Sequence, residues 1–272
     1  MHVTDTARPT AEAQTVPHGI IVETVAFDAP WAWLAGGWRD LSAAPVVSLF
    51  YGLVFAGLAV LLTAGLLARG LESLILPLSG GFLLIGPALA VGLYETSRRL
   101  EANETVRLGD ILQTVLRCSG RLSFFGAVLG FVYVIWLQLA FLLLMLFLGS
   151  NDLPPAKDFV ATLLFMPSGL GLLVAGTLVG GGLALLVFSI SVVSVPLLMT
   201  RRVDAVTAVA TSLSAVLRNP KPMLLWAGLI AGFMSLGLAT LFVGLIVAFP
   251  LIGYATWHAF RDVIREHPCS YL

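Results

Sequence analysis

Long uncharged apolar runs alternate with short polar segments along this chain. An apolar helix needs about 20 residues to cross the hydrocarbon core of a bilayer, so the runs predict membrane-spanning helices. The predicted spans lie at 48–68, 74–97 and 122–148, with one more within 167–199 and two within 223–260 that are joined by a tight turn near 237–240. One long helix and a buried half-helix are the alternative for the last block, and would give five spans.

The composition favours lipid as the natural solvent of this chain. Hydrophobic residues make up 58% and charged residues 11%, against roughly 25% charged residues in soluble domains, and the mean hydropathy is +0.98. The formal net charge is zero, so there is no basic excess to bind nucleic acid. We predict an all-α polytopic membrane helix bundle of about six transmembrane helices. Its expected partner is the lipid bilayer, and other membrane-protein subunits are a further hypothesis.

The basic residues are biased to one side of the predicted spans. Only Arg69 and Lys157 fall on the other side. Cytoplasmic loops of membrane proteins carry the excess of Lys and Arg, so both ends of the chain are predicted in the cytoplasm. The residues on the predicted cytoplasmic side are Arg8, Arg39, Arg98, Arg99, Arg107, Arg117, Arg121, Arg201, Arg202, Arg218, Lys221, Arg261 and Arg265.

A short amphipathic helix is predicted before each pair of spans, at 31–44, 108–117 and 204–218. Proline cannot continue a helix, and Pro45 and Pro220 end the first and the third of them. Each apolar face is expected to lie in the plane of the membrane interface. The three faces consist of Trp31, Leu34, Trp38 and Leu41; of Leu108, Ile111, Leu112, Val115 and Leu116; and of Val206, Val209, Leu213, Val216 and Leu217.

The ends of two predicted hairpins also match. The spacing from Pro87 to Arg98 equals the spacing from Pro250 to Arg261. We therefore predict three parallel repeats of an in-plane amphipathic helix followed by a two-span hairpin. The predicted organisation is a cytoplasmic tail at 1–29, one transmembrane domain at 30–265 with units at 30–100, 104–202 and 203–265, and a tail at 266–272. Within the first tail, 19–27 is expected to be extended.

Few polar side chains are candidates for an interface or a ligand site. Glu95 is the one acid within a predicted span, and Arg98 and Arg99 follow it at the spacing of helical ion pairs. A structural ion pair is the favoured interpretation, and a proton or cation site is the alternative. The tryptophans expected to anchor the chain at the interface are Trp31, Trp33 and Trp38. The polar candidates are Glu95, Arg98, Arg99, His258, Arg261 and Asp262.

No group of residues predicts catalysis, a metal site or a cofactor. His258 is the one histidine near a span, whereas a metal or haem site needs several ligands in register. Cys118 and Cys269 lack metal-ligand spacing and are expected to be free thiols. We therefore predict a protein that is not an enzyme and holds no cofactor.

Two functions remain open at this point. Glycines crowd 169–182, and they predict tight helix packing. Together with Pro87 and Pro250 they also fit the broken helices of a solute path. Because polar side chains are scarce in the middle of the spans, an accessory, assembly or scaffold role in a larger membrane complex is favoured. A small-solute transporter or channel is the alternative, and an apolar substrate fits it.

Several short motifs lie along the chain: PWAWL at 30–34, GWRDL at 37–41, SLFYG at 48–52, GFLLIGP at 81–87, GLYE at 92–95, SRRL at 97–100, and Pro250 with WHAFR at 257–261. With these motifs the chain resembles a family of predicted bacterial integral membrane proteins of unknown function. The resemblance extends over 29–264 and implies a bacterial inner-membrane location and no known activity.

Overall fold

The computed structural model describes residues 15–16, 20–71, 74–149 and 156–266. It confirms an all-α protein, 83% helical. Most of the two predicted tails, together with Cys269, lies outside the described residues. The helices are α1 (Ala29–Ala43), α2 (Pro45–Leu67), α3 (Ile75–Leu84), α4 (Gly86–Leu89), α5 (Val91–Glu101), α6 (Leu108–Leu148), α7 (Ala156–Phe165), α8 (Pro167–Ser191), α9 (Ser194–Thr200), α10 (Ala205–Arg218), α11 (Pro220–Ala239) and α12 (Leu245–Val263).

Four stretches of helix are long and apolar enough to cross a membrane: α2, 122–148 of α6, 167–200 and α11. Three of them begin with proline at the first turn, where its missing N–H costs no hydrogen bond. The prediction of an integral membrane protein is confirmed. The other two predicted spans are not long, continuous apolar helices. Residues 74–97 are divided among three short helices, and α12 ends in polar turns.

The two proline positions behave differently. At Gly86-Pro87 the helix is interrupted after Leu84, and the chain continues as the single turn of α4 before α5 starts at Val91. At Pro250 the helix is not interrupted, since α12 runs from Leu245 to Val263 through the proline. Only the first proline therefore separates two helices.

The predicted separate surface helix at 108–117 is wrong. Helix α6 runs without interruption from Leu108 to Leu148. The physical reason is that no proline follows Arg117, whereas Pro45 and Pro220 follow the other two predicted surface helices. At 1.5 Å per residue α6 is roughly 60 Å long, about twice the thickness of the hydrocarbon core.

The junctions after α1 and α10 share one backbone geometry. Ala44 before Pro45 has φ −123° and ψ 60°, and Asn219 before Pro220 has φ −121° and ψ 52°. The amide at each junction donates to the carbonyl four residues earlier, at 2.9 Å for Ala44 and 3.1 Å for Asn219. The likeness predicted between the first and the third unit therefore extends to these turns, while the threefold repeat stays a prediction.

Helix α1 packs on the bundle through Trp33 and two glycines, while its predicted membrane-interface face stays partly exposed. Trp33 is buried, with its ring edge-on to Trp226 at 5.7 Å, and Gly36 and Gly37 lie directly against α12. Trp31 and Trp38 are exposed, as expected for interface anchors, but Trp33 is an internal residue. The predicted face consists of large apolar side chains, whereas the close approach of two helices requires small residues such as these glycines.

Helix α10 likewise packs through small residues, among them Ala208 and Ser212, and leaves Val206 and Leu217 exposed. The Ser212 hydroxyl donates to the carbonyl of Ser189 at 2.7 Å and accepts from the amide of Val193 at 3.2 Å. These backbone groups lie where α8 gives way to α9, so α10 satisfies polar groups that the helix break exposes.

A small antiparallel sheet joins distant parts of the chain. Its order is β1 (Thr15–Val16), β2 (Ile20–Val22), β3 (Ile264–Glu266), and the extended segment expected at 19–27 is confirmed for β2. Buried Asn219 fixes the residues that follow β2, because its amide donates to the Glu23 carbonyl at 2.9 Å and accepts from the Val25 amide at 2.8 Å.

Replacing Asn219 by alanine is expected to lower the free energy of unfolding by about 2 kcal/mol, since it leaves backbone groups of Glu23 and Val25 without partners. Thermal unfolding and hydrogen exchange at 20–25 would measure the effect. Ser42→Ala is the control, because that hydroxyl is exposed and bonds only within its own helix. Equal stability of the two variants would contradict the assigned role of Asn219.

Candidate functional site

The predicted ion pair of Glu95 is present in full. Glu95 is 4% exposed, and its carboxylate accepts from Nε and Nη2 of Arg98 at 2.8 and 2.9 Å and from Nε of Arg99 at 2.7 Å. Arg98 also donates to Glu104, at 3.1 Å for its shorter contact. Both guanidinium groups are thus engaged by the buried acid, which fits the structural interpretation.

The three polar candidates of α12 do not form a cluster with one another. His258 Nε2 lies 2.9 Å from Asp40 Oδ2 of α1, and Asp262 accepts from the indole N–H of Trp33 at 3.0 Å. Arg261 pairs with Glu101 at the end of α5 at 2.9 Å. Each side chain therefore links α12 to a neighbouring helix. Within the described ranges, no three potential metal ligands lie close enough together to hold a metal ion.

Asp40 is a polar centre that sequence reasoning missed. Besides His258 it accepts a hydrogen bond of 2.6 Å from the hydroxyl of Ser97, so it joins α1, α5 and α12 at one point. The GWRDL motif contained it, but nothing in the local spacing indicated partners on two other helices.

An apolar cavity of about 740 Å³ lies inside the bundle. Glycines of α3, α8 and α11 line it. At Gly176, Gly181 and Gly228 an added Cβ would meet no atom within 4 Å, whereas Gly80 and Gly180 lie against Trp136. The stacked rings of Phe55 and Phe249, with centroids 3.8 Å apart, form part of its wall.

The cavity opens at the side of the bundle. Its lining includes the exposed residues Thr177 and Leu185 of α8 and Leu224 of α11. Both helices belong to the stretches that can cross a membrane. The mouth is therefore bordered by two helices that are long and apolar enough to cross a membrane.

Tyr94 supplies a polar group to the cavity wall. Its side chain is 3% exposed, and no hydrogen bond to its hydroxyl is found among the described residues. Two other hydroxyls of the wall, Thr256 and Ser191, donate to carbonyls of their own helices at 2.7 and 2.6 Å. Because a buried tyrosine hydroxyl usually has a partner, Tyr94 is a group available to a ligand, and the exposed hydroxyl of Thr177 also lies in the lining. Tyr94, which directly precedes Glu95 in α5, was not among the predicted candidate residues.

Comparison with known proteins identifies one part of the chain. Residues 75–200 match the model of a family described as predicted integral membrane protein (DUF2189). This match covers somewhat less than half of the chain. The predicted resemblance to integral membrane proteins of unknown function is thereby confirmed for the motifs at 81–87, 92–95 and 97–100. No curated protein and no solved structure matches this chain.

The DUF2189 segment begins at the first residue of α3 and ends at the last residue of α9. It supplies Tyr94, Trp136 and the glycines of α8 to the cavity, while α2, α11 and α12 close the space from outside the matched segment. Its bounds cut across the predicted repeat units, so the family model and the predicted repeats divide the chain differently.

Proposed function

We propose that this protein takes up an apolar or weakly amphiphilic molecule from the bilayer in the cavity between α8 and α11, and carries out no reaction on it. The observation that carries the proposal is the mouth of the cavity, which is bordered by two helices able to cross a membrane. Its apolar wall suits a molecule with a hydrocarbon body, and Tyr94 suits a single polar group on it.

This proposal corresponds to the transporter alternative, with an apolar substrate. An ion or a polar solute would need several polar side chains along its path, and the wall offers chiefly Tyr94. The interruption at Gly86-Pro87 lies in the same wall, where broken helices serve binding sites in transporters. The accessory role stays a second hypothesis, because the exposed apolar residues of α6 fit contact with a partner and contact with lipid equally.

We further propose six crossings in a bacterial inner membrane, with α3–α5 and α12 as the two additional passes and both ends of the chain cytoplasmic. The ion pair of Arg261 with Glu101 supports this arrangement, because it brings the ends of α12 and α5 together. Both ends carry arginines that the positive-inside rule assigns to the cytoplasm.

The experiment is a comparison of variants that fill the cavity with variants that do not. Gly181→Leu and Gly228→Leu place a side chain on the cavity wall at positions where an added Cβ meets no atom within 4 Å. The matched controls are Gly182→Leu and Gly232→Leu, which lie on the same helices with equally open surroundings but outside the lining.

Each protein is purified in mild detergent from the membranes of the cells that make it, and the molecules it retains are identified and quantified by mass spectrometry. We expect a retained apolar molecule whose amount falls about tenfold in the two filling variants, equivalent to about 1.4 kcal/mol of affinity, and stays unchanged in the controls. Equal retention in all five proteins would overturn the proposal. A stoichiometric membrane-protein partner without any retained molecule would favour the accessory role.

A further inference from the structure

A second, smaller cavity of about 310 Å³ lies where α5, α9 and α12 end beside the sheet. Four arginines line it, from four different segments of the chain, and Glu101 is the one acid among the lining residues. Trp257 and Phe260 give it an apolar side. The arginines are Arg98, Arg201, Arg261 and Arg265.

The geometry points to a binding site for a phosphate-bearing anion in this cavity. Four arginines and one acid line the cavity, and two further acids, Glu95 and Glu104, pair with Arg98. These four arginines and three acids leave a net positive charge, and guanidinium groups match the oxygens of an anionic phosphate ester with paired hydrogen bonds. The volume suits a phosphate with a small organic group attached, and Trp257 and Phe260 suit the apolar part of that group.

Two of the arginines are held in position by neighbouring acids: Arg261 keeps N–H groups available, whereas Arg98 already makes four contacts with Glu95 and Glu104. Arg261 uses Nε and Nη2 on one oxygen of Glu101, at 3.0 and 2.9 Å, so three of its five N–H groups stay available. Glu101 is fixed in turn by the indole N–H of Trp257 at 3.2 Å. Arg98 is fixed by Glu95 and Glu104. These hydrogen bonds and ion pairs orient the guanidinium groups before a ligand binds.

The other two arginines lie in β3 and directly after α9. Arg265 lies in β3, is exposed, and makes no ion pair within the part of the chain that the structure describes. Arg201 directly follows α9. Arg98 and Arg261 stand at the matching positions after Pro87 and Pro250, so the two similar hairpin ends each bring one arginine to the same cavity.

The phosphate group could belong to a phospholipid headgroup or to a soluble phosphate ester, and the test separates these sources. The full chain is purified in a maltoside detergent, which contains no phosphate. Binding is then measured in two arms, with phosphatidylglycerol added in mixed micelles and followed by native mass spectrometry, and with glycerol 3-phosphate followed by calorimetry.

Arg265→Gln is the test variant, because the side chain is exposed and its loss breaks no described ion pair. Arg202→Gln is the matched control: it removes the same charge from the residue next to Arg201, outside the cavity lining. Unfolding temperatures without ligand verify that both variants are folded.

We expect binding in one of the two arms, weakened about tenfold by Arg265→Gln and less than about twofold by Arg202→Gln, because one of several charge-assisted contacts is lost. Binding of phosphatidylglycerol alone assigns the site to a lipid headgroup, and binding of glycerol 3-phosphate assigns it to a soluble ester. Absence of binding in both arms overturns the inference. Equal weakening by the two variants also overturns it, because attraction to general positive charge would then explain the binding. The inference is independent of the apolar cavity.

Discussion

Replacing Gly52 by alanine is expected to destabilise the protein more than any other single methyl addition to α2. The new methyl group would overlap the carbonyl of Ile246 and lie 2.8 Å from its carbonyl carbon and Cα. Pro250 has no N–H to donate to that carbonyl, so α2 lies directly against a carbonyl that lacks its helical donor. Backbone atoms cannot turn aside as a side chain can, and we expect a loss of about 3 kcal/mol.

The measurement is the unfolding temperature of the purified protein, followed by its intrinsic tryptophan fluorescence in detergent. A loss of this size corresponds to a decrease of roughly 10 °C. Gly57→Ala and Gly65→Ala are the controls, since both lie on α2 and an added Cβ there meets no atom within 4 Å. If all three variants unfold at one temperature, the close packing of α2 on α12 is incorrect.

Glu95→Gln is expected to have the second largest effect. The carboxylate is buried, whereas the side chains of Arg98 and Arg99 are 35% and 17% exposed. Removing its charge leaves two guanidinium groups facing a neutral amide that cannot offset their mutual repulsion. Because water reaches the arginines in part, the expected loss is about 2–3 kcal/mol, less than for a fully buried pair.

Glu104→Gln provides the comparison for this prediction. Glu104 pairs with Arg98 alone and is half exposed, so its removal is expected to cost less than about 1 kcal/mol. Chemical denaturation of the two variants under one condition would show the difference. Similar losses for both would mean that Glu95 is not the centre of the pair.

The elements that the sequence predicted well are those with a local physical signal. Uncharged runs of sufficient length marked the spans, and Pro45 and Pro220 marked the ends of two helices, because proline acts on its own neighbours. At 117–122 there is no such signal, so the expected end of a helix was wrong. The break after Leu84 was indicated by Gly86-Pro87, but whether a proline interrupts a helix depends on what packs around it, as Pro250 demonstrates.

For the candidate site, too, the sequence predicted local contacts and did not predict distant ones. Glu95, Arg98 and Arg99 were predicted together because their pairing lies within one helix. The partners of His258 and Asp262 are more than 200 positions away in sequence, and a single sequence carries no signal for contacts at that distance. The apolar cavity itself was not predicted, because the glycines of α8 were interpreted mainly as packing residues, with a solute path as the alternative.

The pairing of β2 with β3 has a consequence for synthesis of the protein. Ile20–Val22 is made early, while Ile264–Glu266 is made only after about 240 further residues, which takes roughly 10–50 s of translation. During that time the backbone groups of β2 that later pair with β3 have no partner, and Asn219 is absent for most of the interval as well. The early segment is therefore open to chaperones or to unintended strand pairing until β3 has been made, and the sheet can form only after the helices between β2 and β3 have been synthesised.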